Sequence, residues 1–122
     1  MAYEETVKSI TLLSGADFST TGQYRFGVIG SDGKIELASS GGRAEGVIYD
    51  NPAEDRECVL AIGGVLMVEY GGAITAGGDV MSGANGVGVA ATGTNMVLGT
   101  ALETGVSGDI RPVLFQPTGM LA

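Results

Sequence analysis

The chain has 122 residues and a formal charge of −8, with acidic side chains outnumbering basic ones 14 to 6 and no histidine. That length makes one domain the expectation, and an apolar content of 44% excludes intrinsic disorder. No Lys or Arg lies between Arg56 and Arg111, so there is no basic stripe to displace counterions from phosphate, and nucleic acid is excluded as an expected partner.

Along the chain, alternation and β-branched runs dominate, punctuated by glycine, and no apolar stripe keeps a helical period. The N-terminal "MAYEETVKS" is acidic and has no apolar h-region, which argues for a soluble protein made in the cytoplasm. Strands are expected at Val7–Leu13, Tyr24–Ile29, Lys34–Leu37, Ala44–Tyr49 and Cys58–Ile62. Further strands are expected at Val65–Tyr70, Asp79–Met81, Val87–Ala90, Met96–Glu103 and Ile110–Phe115. Asp32-Gly33 and Asn85-Gly86 carry hairpin chemistry, and Gly63-Gly64 reads as a tight turn joining two apolar runs. The stretch Val80–Leu102 is uncharged, but it is too rich in Gly, Ser, Thr and Asn to cross a membrane. The expected class is therefore all-β: a small barrel of short strands and Gly-rich turns.

Two segments align at a constant offset of 53 residues: Gly46 falls on Gly99, Ile48 on Ala101, Asp50 on Glu103, Leu60 on Val113 and Ile62 on Phe115. Two similar hairpins suggest a pseudo-symmetric barrel. Residues 1–22 stand apart as an extended N-terminal arm or edge strand ahead of a barrel at 23–122, within a single domain overall. With 22 glycines to order, each less favourable than alanine by ~0.5–1 kcal/mol, extra burial through oligomerisation or docking is a reasonable expectation.

Catalytic chemistry finds little to work with. The lack of histidine removes Ser-His and Cys-His pairs and most zinc sites. "GANGVG" lacks the Rossmann order, and no Walker sequence occurs, so no phosphate-binding cofactor is expected. Cys58, the single cysteine, reads as a small buried hydrophobe. The acidic run Asp50, Glu54, Asp55 and Glu57 reads as a solvated loop, not a metal or catalytic site. Tyr3, Tyr24, Tyr49 and Tyr70 suit either a barrel core and rim or a protein interface.

The stretch from Ala44 to Phe115 carries a specific order of short motifs: a "GV" strand with an acidic end, an apolar pair of runs around Gly63-Gly64, the turn Ala73-Ile74-Thr75-Ala76-Gly77-Gly78-Asp79-Val80, and the late strand Val97–Glu103. Gly105, Val113 and Leu114 complete the set. This order resembles the small capsid decoration (cement) proteins of tailed bacteriophages, long filed as a domain of unknown function. Residues 1–43 match only loosely. The resemblance implies a tulip-like β-barrel, a homotrimer with a dimer as alternative, on the outer surface of the virion. The implied partner is the phage major capsid protein, with no cofactor, no membrane and no catalysis. Contacts are then expected from Val7, Ser9, Ile10, Leu12 and Leu13 on the N-terminal strand, and from loop tips carrying Thr20, Thr21, Gln23 and Arg43. A carbohydrate-binding module or another virion part stays open as the alternative.

Overall fold

The computed structural model describes residues 8–93 and 95–117. In chain order these form β1 (Lys8–Leu13), β2 (Phe26–Ile29), β3 (Ile35–Leu37), β4 (Gly46–Ile48), β5 (Glu57–Glu69), β6 (Asp79–Ser82), β7 (Gly88–Ala90), β8 (Gly99–Ala101) and β9 (Ile110–Phe115). A single 3-10 turn, Ala84–Gly86, separates β6 from β7. The strand order is β3-β2-β4-β5-β9-β8-β6-β7, with β1 also paired to β5, and every pairing is antiparallel. The sheet curls into half-barrels, so the all-β class read from the sequence is the observed one. Of the two roles left open for the N-terminal segment, Lys8–Leu13 takes a place in the sheet of its own chain, along β5.

One expected turn does not exist. Gly63-Gly64 is not a hairpin corner: β5 runs through it for 13 residues. Its first half pairs with β1 and β4, and its second half with β9. The bend is absorbed locally. Ile62 is skipped in the pairing that takes Lys8 to Gly63 and Ser9 to Ala61, and Gly64 sits at φ +91. A bulge next to a left-handed glycine increases strand twist, which lets one strand serve two curled sheets. The expected strand Met96–Glu103 is likewise shorter, reduced to β8.

The weak offset in the sequence becomes a full duplication in the register. Adding 53 to both residue numbers turns Gly27↔Leu37 into Val80↔Ala90, and Phe26↔Val47 into Asp79↔Thr100. It turns Ile48↔Leu60 into Ala101↔Val113. Loops follow the same rule: Ala38 N–H donates to Phe26 O at 3.0 Å, and Ala91 N–H to Asp79 O at 2.9 Å. β1 maps on the second half of β5 at an offset of 56, since the parallel bridge Ser14↔Ile35 recurs as Tyr70↔Gly88. The first repeat is therefore β1–β4 with the first half of β5, and the second is the remainder of β5 with β6–β9.

Each repeat has its own core, but the two are filled differently. In the first, Phe18, Ile35, Ile48, Cys58 and Leu60 close on themselves. In the second, Leu66, Val68, Val80, Ala101 and Val113 join Phe26, Val47 and Ala61 from the outer face of the first repeat. Phe26 lies 6.1 Å from Phe115 between ring centroids. Gly88 lies against the ring and against Val68: a Cβ there would already touch Phe26 at 3.6 Å and would crowd Val68 Cγ1 at 2.9 Å, leaving no space for a larger side chain. Where the second repeat has Gly88 and Ala101, the first has Ile35 and Ile48, both fully buried. Volume is thus conserved between a self-filled core and one filled by a neighbour's aromatic ring.

Gly46 and Gly99 occupy equivalent places, and a Cβ on either would run into the backbone carbonyl of Ala61 or Leu114 on the next strand. Gly46→Ala and Gly99→Ala should each lower unfolding stability by about 1–3 kcal/mol, the usual cost of overpacking. Gly72→Ala, where a Cβ meets open space among the described residues, should be within about 0.5 kcal/mol of wild type. Urea unfolding of the three variants checks this, and equal stabilities would contradict the close-approach account.

Candidate functional site

The expected contact residues divide by the pleat of β1 and by the loops around it. Val7 lies outside the described residues. Ser9 and Leu13 point outward, with Leu13 44% exposed, whereas Ile10 and Leu12 turn inward on the first core. Thr20 and Thr21 are exposed at the tip of the β1–β2 loop. Gln23, half-buried, donates from Nε2 to Tyr49 O at 3.1 Å. Arg43 lies elsewhere, against the end of β2, where it pairs with Glu45 at 3.0 Å and donates to Ile29 O at 3.2 Å.

The β1–β2 loop is where the duplication breaks. Phe18 N–H donates to Pro52 O as Ile74 N–H does to Gly105 O, and Arg25 N–H donates to Gly22 O as Gly78 N–H does to Thr75 O. Phe18 follows the offset of 56 and Gly22 the offset of 53, so Ser19, Thr20 and Thr21 have no counterpart in the second repeat. These extra residues border a polar cleft of about 260 Å³ that also takes in Asn51, Glu69 and Ile110. Asp17 anchors the loop by accepting Ser19 N–H at 2.9 Å; the Ser19 hydroxyl first, and this N–H second, hold its carboxyl below the usual range. Across the cleft, Arg25 Nε stands 3.4 Å from Glu69 Oε1, and Arg25 Nη1 donates to Asn85 O at 3.3 Å.

Asp50, Asp55, Tyr24, Tyr49 and Tyr70 serve the scaffold. Asp50 accepts Val59 N–H at 3.0 Å, and Asp55 pairs with Lys34 at 2.6 Å. Among the described residues no group of three potential metal ligands comes together. Tyr70 is fully buried and its hydroxyl donates to Glu103 O at 2.8 Å; Tyr49 Oη accepts Met67 N–H at 2.8 Å and its ring stands edge-on to Tyr24 at 5.7 Å. These three rings therefore belong to core and rim. Tyr3 lies outside the described residues. Sequence reasoning did not single out Arg25, Glu69 or Ile110 as cleft residues, because only the fold brings positions so far apart in the chain together.

Among solved structures, the chain is similar to the N-terminal base of the head fiber protein gp8.5 of bacteriophage phi29. The TM-score is 0.72 at 20% sequence identity, and the alignment covers 91% of this chain and 95% of that one. The two share a fold over nearly their whole lengths. No protein-family profile matches the chain, and no curated protein does.

Cys58 is fully buried in the first core, and desolvation, with Asp50 adding to it, pushes its thiol up to about 12. Because the folded state resists ionisation more than the unfolded chain, its contribution to stability is complete below about pH 8.5, where an unfolded thiol titrates. It is lost as pH rises toward the folded value. Denaturation between pH 8 and 11 should show a falling stability that Cys58→Ala flattens. Alkylation by iodoacetamide at pH 8 should also be at least about a hundredfold slower in the folded than in the urea-unfolded chain.

Proposed function

We propose that this protein is a structural component of a bacteriophage head, bound to the outer surface of the capsid through the major capsid protein, where it stabilises contacts between capsid subunits. The observation that carries the reading is the shared fold with a phage head fiber base over nearly the full length of both chains. The chemistry of the chain supports it. The motif order from Ala44 to Phe115 resembles the decoration proteins. Acidic charge keeps many copies soluble and apart before assembly, and multiple copies on a lattice make modest contacts per chain sufficient. A homotrimer is the expected assembly. Sedimentation analysis should then give three times the 12.3 kDa of one chain.

Purified protein mixed with expanded, undecorated heads of its phage and imaged by cryo-electron microscopy should give regular density at the three-fold positions. Bare heads alongside a folded protein would overturn the reading. Deleting residues 19–21 is the matching variant. The second repeat closes the same turn without them, so the fold should persist with a melting temperature within about 4–8 °C of wild type, while head occupancy falls. Unchanged occupancy would remove the cleft from the contact surface.

A further inference from the structure

The second repeat carries a docked strand end, and the same surface on the first repeat is vacant among the described residues. Tyr24–Phe26 lies across the second repeat between the end of β5 and the β6–β7 turn. Glu69 N–H donates to Tyr24 O at 2.8 Å, and the Arg25 guanidinium bridges Glu69 and Asn85 O. Gly86 is buried beneath this segment, where a Cβ would meet Phe26 O at 2.6 Å and Arg25 Cβ at 3.3 Å.

In the first repeat, Leu13 stands at the place of Glu69 and Gly33 at that of Gly86. Gly33 is exposed, with nothing within 4 Å of a Cβ. A groove of about 330 Å³ runs there, lined by Thr11, Leu12, Leu13, Gly33, Lys34 and the carboxylates Asp32 and Glu57. Among the described residues nothing pairs with the edge of β1 that faces it. Ser14 N–H donates to Arg56 O, as Tyr70 N–H does to Asp109 O. Alternation along an antiparallel strand then turns the main-chain groups of Thr11 and Leu13 away from β5, as it turns those of Met67 and Glu69.

We infer that this groove is a docking site for an extended segment of a partner protein, one that adds to the β1 edge and presents a basic side chain between apolar ones. The chain's own Tyr24-Arg25-Phe26 is the template for the mode. Charge selects the occupant. Asp32 and Glu57 are exposed carboxylates of the groove, and the ammonium of Lys34, which also lines it, is engaged by Asp55 at 2.6 Å, so the lining is acidic on balance. A second copy docking as the repeats do would offer Gly77-Gly78-Asp79, which has no basic or bulky side chain and sets an exposed aspartate against those carboxylates. The partner is therefore a different protein. The inference rests on the head-protein reading only in taking the major capsid protein as the source of that segment.

Two measurements test it. In amide NMR of the full chain, the strand peptide acetyl-VTVRVTV-amide should shift and protect the amides of Thr11, Leu13 and Gly33. The same peptide with Glu in place of Arg should bind at least about fivefold more weakly, since like charges oppose it. No response at those amides, equal binding of both peptides, or amides already protected in the free chain would overturn the inference. Co-sedimentation with undecorated heads is the second test. Thr11→Pro removes an outward N–H that an edge strand can spare, and Leu13→Lys, at an exposed position, sets a like charge against the occupant's basic side chain. Both should lose at least about tenfold in head binding, while Val106→Asp, at a position 58% exposed, binds as wild type. Groove variants that bind as well as wild type would overturn the groove and leave the head reading standing. Wild type failing on heads while the peptide arm succeeds would leave the groove and remove the head reading.

Discussion

The fold depends on one strand. β5 is last in the first repeat and first in the second, so both curled sheets hang from the same 13 residues. Its twist around Gly63 and Gly64 turns Leu60 into the first core and Leu66 and Val68 into the second, while Ala61 on the opposite side of the same strand reaches the second core as well. A left-handed residue at Gly64 makes that turn possible without strain. Breaking β5 would separate the halves and leave the second core without its cover.

That cover explains why the two repeats have diverged in side chains while keeping one register. Phe26 is inserted into the second repeat, which answers with Gly88 and Ala101; the first repeat receives no such insertion and fills the same positions with Ile35 and Ile48. The residue equivalent to Phe26 is Asp79, exposed on the outer face of the second repeat. A charged residue at that place ends the stack after two units, much as terminal units of repeat proteins carry a polar outer face. Burying Asp79 in a third apolar bowl would cost several kcal/mol, so the chain is closed at one end by charge and open at the other along β1.

Much of this was legible in the sequence because short strands with strong turn chemistry leave local marks. Nine of the ten expected strand positions fall on or overlap distinct observed strands, and Asn85-Gly86 takes left-handed φ at both residues, as its hairpin chemistry requires. The exception, Gly63-Gly64, had a readable objection. A two-residue turn would place Val65, Met67 and Glu69 on the same face as Ile62 and Leu60, putting a carboxylate inside and Leu66, Val68 and Tyr70 outside. A continuous, twisting strand keeps Leu60 and Ile62 on the first core and Leu66, Val68 and Tyr70 on the second, which is what the chain does. The duplication was visible only at β4–β5 and β8–β9, where both repeats need the same close approach at Gly46 and Gly99. Elsewhere packing roles differ, and the extra Ser19–Thr21 shifts the register, so comparison of letters loses what comparison of hydrogen bonds recovers.

Contact residues were the least legible, and for a physical reason. An edge is defined by what does not pair with it, and a sequence records residues without their missing neighbours. Ile10 and Leu12 look like candidates because they are apolar, yet the pleat of β1 turns them to the core. Thr11 draws no notice, although its main chain faces the open edge. The duplication supplies the missing reference: one repeat shows the surface occupied by Tyr24–Phe26, and in the other the same surface is bare among the described residues. Gly86 buried and Gly33 exposed are one position in two states, and the difference between them marks where this molecule has room for another.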